Sequence, residues 1–173
     1  MWTISNFISF LRLLMSVPAG YCLWHGEKTA LLIIMLLAFI SDFVDGGLAR
    51  KLNQVSEAGK IIDPLADKVF VTTIIVISLF QGSMPLWVGI IIIARDIIIL
   101  LSGVYFARKL KYVIPSNYTG KITVDIIGIY LLLIIFGQAD FASYWLWLVL
   151  LGVFVSLLHY AIRAFRLLKQ KTE

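Results

Sequence analysis

Residues 41–68 of the chain read SDFVDGGLARKLNQVSEAGKIIDPLADK, and this stretch decides the fold. Apolar runs flank it on both sides, so its first half ends one apolar segment and its second half begins the next. A carboxylate inside a membrane span costs ~2.5–3.5 kcal/mol and therefore marks a candidate functional site. Asp42 and Asp45 fall at the end of the first segment. Asp63 and Asp67 fall at the start of the second, so the stretch predicts two helices that carry acidic groups close to one membrane surface.

The composition excludes a water-soluble fold. Of the 173 residues, 61% are hydrophobic and 14% are charged, which is about half the charged fraction of a soluble domain. One domain, residues 1–173, fits this length. The net charge of +5 is expected to reflect cytoplasmic loops and anionic lipid headgroups, and no nucleic-acid partner is expected. The single cysteine, Cys22, provides neither a disulfide nor a cysteine metal site.

The apolar segments predict six membrane-spanning helices, since a span needs ~20 mostly apolar residues. Arg12 in the middle of the first segment and Pro18 in its second half argue against a cleaved signal peptide, so this helix is expected to be retained. The predicted spans are residues 3–24, 29–49, 61–81, 85–107, 122–138 and 141–162.

Lys and Arg are concentrated on one side of these spans. They lie in residues 50–60, in residues 108–121 and in the tail 163–171, whereas the opposite side has only Lys28. Positive residues near helix ends are retained in the cytoplasm, so both termini and these loops are expected there and the three short turns outside. The predicted fold class is an all-α integral membrane protein with six transmembrane helices and cytoplasmic termini.

Each acidic pair shares a helical stripe with small residues, at 100° per residue. If the two helices are antiparallel neighbours, the stripes face each other and four carboxylates converge just inside the cytoplasmic surface. Interfacial salt bridges with neighbouring Lys and Arg would not explain the shared small residues. The stripes consist of Asp42, Asp45, Gly46 and Ala49 in the first helix and of Gly59, Asp63 and Asp67 in the second.

Four converging carboxylates repel one another and require cations. All-oxygen ligands suit Mg²⁺ or Mn²⁺, and two such ions can hold a diphosphate between them. Gly46, Ala49 and Gly59 would let a bulky substrate approach the main chain closely. Arg50, next to the first stripe, could hold phosphate charge through two hydrogen bonds.

These residues reproduce the pattern D-x2-D-G-x2-A-R-x8-G-x3-D-x3-D, which resembles the signature of the CDP-alcohol phosphotransferases. The resemblance implies six transmembrane helices, a homodimer, and a metal site open to the cytoplasm. It implies that the four aspartates ligate two divalent ions, Mg²⁺ or Mn²⁺, and that Asp67 also deprotonates the acceptor hydroxyl. It further implies that Gly46, Arg50 and Ser56 contact the CDP part of a CDP-linked lipid.

The opening SNFISFLRLLMSVP is similar to that of the phosphatidylglycerophosphate synthases in this family, with Asn6, Ser9, Arg12 and Pro18 in register. Asn6 and Ser9 are therefore expected to bind the CDP-lipid. The expected reaction transfers the phosphatidyl group of CDP-diacylglycerol to glycerol 3-phosphate and releases CMP. Asp96 stands where these synthases more often have Glu, and the Arg-Asp pair and DPLADK equally resemble the cardiolipin synthases, so phosphatidylglycerol is the alternative acceptor.

A phosphorylated acceptor needs cations beside the metal ions. Arg95 lies in mid-span, where an arginine is costly unless it faces a partner or a polar cavity, and pairing with Asp96 or Asp125 is its structural alternative. Lys121 could equally be a positive-inside anchor. The candidate acceptor-binding residues are Arg95, Lys121, Arg108 and Arg12, and Arg12 could instead be the partner of an acid.

Two other kinds of membrane protein use acidic residues. A polyprenyl-diphosphate transferase needs eight or nine spans, and a small transporter places its acids near the midplane and shows inverted repeats. Neither pattern fits this chain. A multi-pass protein of the bacterial inner membrane is expected, with its active site facing the cytoplasm.

Overall fold

A computed structural model describes the main chain of residues 4–52, 59–110 and 118–169, and the side chains of residues 7–41, 65–103, 118–163 and 165. All six elements in these ranges are α-helices, and each overlaps one predicted span, with ends that differ by up to seven residues. The all-α prediction is confirmed. The helices are α1 (Ile4–Trp24), α2 (Lys28–Leu52), α3 (Gly59–Phe80), α4 (Leu86–Leu110), α5 (Tyr118–Ile135) and α6 (Ala139–Lys169).

Four of the helices contain a window that is long and apolar enough to cross a membrane, counting only the described residues. The first part of α2, Lys28–Ser41, is a shorter apolar helix. Large apolar side chains are also widely exposed, which suits a surface that faces lipid. The four windows are Phe7–Trp24, Leu86–Gly103, Tyr118–Ile135 and Ala139–Arg163.

The chain forms two compact units, Met1–Met84 and Pro85–Glu173. In the first unit α1 packs against both α2 and α3, with Ala19 and Ile74 among the buried side chains. In the second unit α6 packs against α5 and α4, and Val149 is fully buried. Each unit is therefore three helices, one of which contacts the other two.

Three short turns follow α1, α3 and α5, and each of these helices ends in the same way. Gly26, Gly82 and Gly137 each have a positive φ, of 74°, 68° and 75°. In each turn the glycine N–H bonds the carbonyl three residues back, and the next N–H bonds the carbonyl five residues back, as in Glu27 to Cys22 at 2.8 Å. This is the Schellman motif, in which glycine avoids the strain of the left-handed conformation. It lets each turn be short.

Close packing between α1 and α3 depends on a glycine. A Cβ on Gly20 would lie 2.9 Å from Cδ1 of Ile77 and 3.1 Å from Cγ2 of Thr73. About one turn further along α1, the side-chain amide of Gln81 donates to the carbonyl oxygens of Leu23 and Trp24, at 2.9 and 3.2 Å. These contacts fix the end of α3 against the end of α1.

The pairing of α5 with α6 is polar as well as apolar. The Thr123 hydroxyl lies 3.0 Å from the carbonyl oxygen of Gly152 and 2.8 Å from that of Thr119. The indole N–H of Trp145 donates to the carbonyl oxygen of Ile126 at 3.0 Å. Hydrogen bonds of this kind hold helices together where lipid offers no hydrophobic driving force.

Candidate functional site

The acidic stretch forms the end of α2 and the beginning of α3, as predicted. Asp42 and Asp45 lie three residues apart on α2, within one turn. Asp63 and Asp67 lie four residues apart on α3, again on neighbouring positions of one face. Of these four, only the Asp67 side chain belongs to the described part. The side chains of Asp42, Asp45 and Asp63 lie outside it, so their predicted convergence remains a prediction.

Asp67 forms an ion pair with Arg12, which reaches it from α1. The Arg12 Nη1 donates to Oδ1 of Asp67. The two side chains differ in burial, because the arginine is 3% exposed and the aspartate 49%. One oxygen of the carboxylate is thus held by a buried cation, and the aspartate side chain as a whole is half exposed.

The same guanidinium also reaches α2. Its Nε lies 3.4 Å from Oγ of Ser41, the residue directly before Asp42. The Ser41 hydroxyl donates to the carbonyl oxygen of Ala38 at 2.7 Å, which leaves its lone pairs to accept from Arg12. Of the two roles that the sequence left open for Arg12, the structure shows the one in which it is the partner of an acid.

A divalent cation fits the chemistry of this donor set. The acids are all aspartates at i, i+3 and i, i+4 positions of two helices that both pack on α1. Carboxylate oxygens are the ligands that Mg²⁺ and Mn²⁺ prefer, and the one described aspartate of the four, Asp67, has a half-exposed side chain. Among the described side chains, no three His, Cys, Asp or Glu residues form a metal-binding group, and three of the four aspartates lie outside that set.

Arg95 is the buried cation of the second unit, and it joins three helices. It is 4% exposed on α4, and its Nη1 donates to Asp96 at 2.6 Å. Its Nη2 donates to Oγ of Ser156 on α6 at 2.9 Å and lies 3.3 Å from the carbonyl oxygen of Gly120 on α5. The Arg95 Nε is buried and has no partner among the described residues.

The contact of Arg95 with Gly120 does not require a glycine. A Cβ at that position would lie 3.7 Å from Nη2 of Arg95, at ordinary contact distance. The pairing of Arg95 with Asp96 is the structural alternative that the sequence left open. Asp125, the other predicted partner, is exposed on α5.

The remaining predicted site residues divide by position. Ser9 is fully buried on α1, and Lys121 is exposed at the beginning of α5. Neither observation tests its proposed contact with substrate. For six others the structure describes only the main chain, which is helical: Asn6, Gly46, Ala49, Arg50, Gly59 and Arg108. Ser56 lies outside the described residues.

Two serines that bond the buried arginines, Arg12 and Arg95, were not predicted as site residues. Ser41 accepts from Arg12, and Ser156 accepts from Arg95. A serine inside an apolar helix is a weak signal, because it often bonds only its own helix, as Ser16 does to the carbonyl oxygen of Leu13. The stronger available signal was the position of Ser41 next to Asp42.

Comparison with known proteins gives a family match and several relatives. The model of the family described as CDP-alcohol phosphatidyltransferase matches residues 2–158. Two relatives are named CDP-diacylglycerol--glycerol-3-phosphate 3-phosphatidyltransferase. The one from Aquifex aeolicus is 33% identical over 131 residues, which cover 75% of this chain and 73% of the relative. The one from Mycoplasma pneumoniae is 37% identical over 90 residues, which cover 51% and 39%.

A third relative has a different name. The cardiolipin synthase (CMP-forming) of Streptomyces coelicolor is 34% identical over 91 residues, which cover 52% of this chain and 42% of the relative. The match therefore spans nearly three quarters of the Aquifex protein but less than half of the length of the Mycoplasma and Streptomyces proteins.

Proposed function

Because the chain belongs to the CDP-alcohol phosphatidyltransferase family, we propose that it is a phosphatidylglycerophosphate synthase. It transfers the phosphatidyl group of CDP-diacylglycerol to a hydroxyl of glycerol 3-phosphate and releases CMP. The observation that carries the proposal is the family match over residues 2–158, which includes the whole acidic stretch. The relatives from Aquifex and Mycoplasma, which are named for this reaction, support the choice of acceptor.

The reaction needs a base, a neutralised diphosphate and a leaving group. The oxygen of the acceptor hydroxyl attacks the phosphorus that bears diacylglycerol, and Asp67 accepts the proton of that hydroxyl. The bond from this phosphorus to the CMP oxygen breaks, and CMP leaves with the electron pair. The half-exposed Asp67 side chain supports this role, since the acceptor must be able to reach the base.

Asp42, Asp45, Asp63 and Asp67 would hold two divalent ions, Mg²⁺ or Mn²⁺. When bound, such ions neutralise the charge of the diphosphate and of the departing CMP. The resemblance and the all-carboxylate donor set support this assignment. The residues proposed to bind the CDP-lipid are Gly46, Ala49, Arg50, Ser56, Gly59, Asn6 and Ser9.

Glycerol 3-phosphate carries its own phosphate, so its pocket requires cations. Lys121 is exposed at the start of α5. Arg95 lies on α4, and its Nε has no hydrogen-bond partner among the described residues. These two and Arg108 are the proposed acceptor ligands. Arg12 was a fourth candidate, but its contact with Asp67 supports a different role, given in the next subsection.

The proposed topology has six spans, cytoplasmic termini and a cytoplasmic active site in the bacterial inner membrane. The one-sided distribution of Lys and Arg supports it. The segments that connect α1 to α2, α3 to α4 and α5 to α6 contain little positive charge, as the proposed topology requires. Residues 1–173 act as one transferase domain, and the functional protein is a homodimer.

CMP release by the purified protein tests the proposed function. The assay contains CDP-diacylglycerol, Mg²⁺ or Mn²⁺, and one acceptor at a time: glycerol 3-phosphate, phosphatidylglycerol, inositol 1-phosphate, serine or none. Release that depends on glycerol 3-phosphate is expected. Release with phosphatidylglycerol instead would make the protein a cardiolipin synthase, the activity for which the Streptomyces relative is named. No release with any acceptor would contradict the proposal.

A further inference from the structure

The Arg12 guanidinium occupies the point at which α1 contacts both acidic helices. It is buried on α1 and hydrogen-bonded to Ser41 on α2 and to Asp67 on α3. These partners lie 29 and 55 residues away along the chain. A single side chain therefore bridges the two helices that carry the acidic stretch.

The two bonds use different nitrogens and can form together. Nε points to Ser41, and Nη1 points to Asp67. The guanidinium is planar and rigid, so fixing one nitrogen fixes the direction of the others. Ser41 is itself held by its bond to Ala38. The result is a chain of contacts from the α2 main chain, through Ser41 and Arg12, to the Asp67 carboxylate.

We propose that Arg12 is a positioning residue, which orients the Asp67 carboxylate and sets its distance from the metal ligands of α2. This inference rests on the proposed role of Asp67 as base and ligand. Asp67 is half exposed, and the buried Arg12 holds one of its oxygens. A misplacement of about 1 Å at a reacting group can lower a rate by ~100-fold.

The position of Ser41 connects the contacts of Arg12 to metal binding. Ser41 directly precedes Asp42, the first acid of α2. When Arg12 holds Ser41 and Asp67 together, it also fixes how far the end of α2 lies from the beginning of α3. Two ions shared by both helices require that distance to be set before they bind.

Arg12→Lys tests the proposal because lysine keeps the charge but has one nitrogen, which cannot serve Ser41 and Asp67 with the same geometry. Three quantities are measured: Mn²⁺ affinity by electron paramagnetic resonance without substrate, kcat and acceptor KM by CMP release, and the midpoint of thermal unfolding in detergent. We expect weaker Mn²⁺ binding and a kcat lowered by ~10- to 100-fold, with the acceptor KM unchanged. An unchanged kcat and Mn²⁺ affinity would overturn the proposal, as would a rise in acceptor KM at constant kcat, which would mean that Arg12 binds the acceptor.

Ser41→Ala is the milder variant and tests the bridge if Arg12→Lys does not fold. It removes the acceptor for Nε and leaves the charge pair in place. We expect a smaller loss of kcat than in Arg12→Lys, and the double variant is expected to be no worse than Arg12→Lys alone, because both substitutions break one unit. Additive losses would show that the two residues act separately and would overturn the bridge.

Gln81→Ala is the matched control, since it breaks a different polar connection between α1 and the end of α3, far from Arg12. It is expected to lower the unfolding midpoint without changing kcat or Mn²⁺ affinity. An equal loss of kcat in Gln81→Ala would show that general packing, rather than Arg12, controls the site. If the unmodified protein releases no CMP, the proposed function fails, while the Mn²⁺ affinities of Arg12→Lys and Ser41→Ala still decide whether Arg12 positions Asp67.

Discussion

Arg12 and Asp67 form an ion pair between a buried arginine on α1 and a half-exposed aspartate on α3. A buried arginine inside an apolar helix is costly unless it is paired, and this one is paired with a residue of the acidic motif. The second unit contains a similar pair, between Arg95 and Asp96. Each of the two buried cations thus joins three helices, but only Arg12 engages the proposed base.

Replacing the acids tests the metal site. Asp63→Asn and Asp67→Asn keep the size of the side chain but remove its negative charge, so both are expected to abolish CMP release and to weaken Mn²⁺ binding. The protein should remain folded in both variants, but the unfolding midpoint should fall more in Asp67→Asn, which removes the carboxylate charge paired with the buried Arg12. Removal of divalent ions with a chelator should stop the unmodified enzyme, and added Mg²⁺ should restore it. Full activity in Asp63→Asn would rule out the proposed ligand set.

Lys121→Ala tests the acceptor pocket without changing a buried side chain. Lys121 is exposed, so its loss should leave stability unchanged while raising the KM for glycerol 3-phosphate several-fold, since a charge-assisted bond to phosphate is lost. Lys28→Ala, on the opposite side of the predicted spans, is the matched control and should have normal kinetics. Equal acceptor kinetics in Lys121→Ala and Lys28→Ala would remove Lys121 from the pocket.

Arg95→Ala is expected to affect stability as well as acceptor binding. It removes the bonds of the guanidinium to Asp96, Ser156 and Gly120, and breaking a buried pair typically costs about 3–5 kcal/mol. The unfolding midpoint should therefore fall along with a rise in acceptor KM. Ser156→Ala separates the two effects, because it weakens the helix contact and retains the charge. A rise in acceptor KM in Ser156→Ala as large as that in Arg95→Ala would contradict a direct contact between Arg95 and the acceptor.

Gly20→Ala should destabilise the first unit. The added methyl would press on Thr73, whose hydroxyl is fixed to the carbonyl oxygen of Val69 at 2.8 Å, and on the end of Ile77. Overpacking of this kind costs about 1–3 kcal/mol, somewhat relieved because the end of Ile77 can turn away. Gly128→Ala is the control, because nothing lies within 4 Å of a Cβ there. Thermal unfolding in detergent should rank Gly20→Ala below Gly128→Ala, and the reverse order would contradict the tight contact of α1 with α3.

Cysteine labelling tests the topology. In a Cys22→Ser background, single cysteines at Ser83 and Gln138, both exposed in turns, should react in intact cells with a maleimide that does not cross the membrane. Cysteines at Lys121 and Lys171 should react only after the membrane is opened. External labelling at Lys171 would contradict a cytoplasmic C-terminus.

The helices could be predicted from the sequence more fully than the contacts between them. Apolar runs and the spacing of Asp63 and Asp67 determine where helices form and which residues share a face. The partner of Arg12 could not be predicted in this way, because which of several acids approaches a buried arginine depends on how α1 packs on α3. The role of Ser41 depends on the same packing. Asp96 was one of two predicted partners for Arg95, and only the fold of the second unit selects it.

The identity of the lipid product tests the central claim most directly. Purified protein in liposomes is given CDP-diacylglycerol, Mg²⁺, phosphatidylglycerol and glycerol 3-phosphate together, and the lipids are then analysed by mass spectrometry. The proposed function predicts phosphatidylglycerophosphate, formed in equal amount to the CMP released and absent in Asp67→Asn. Cardiolipin as the product, or no new lipid at all, would contradict it.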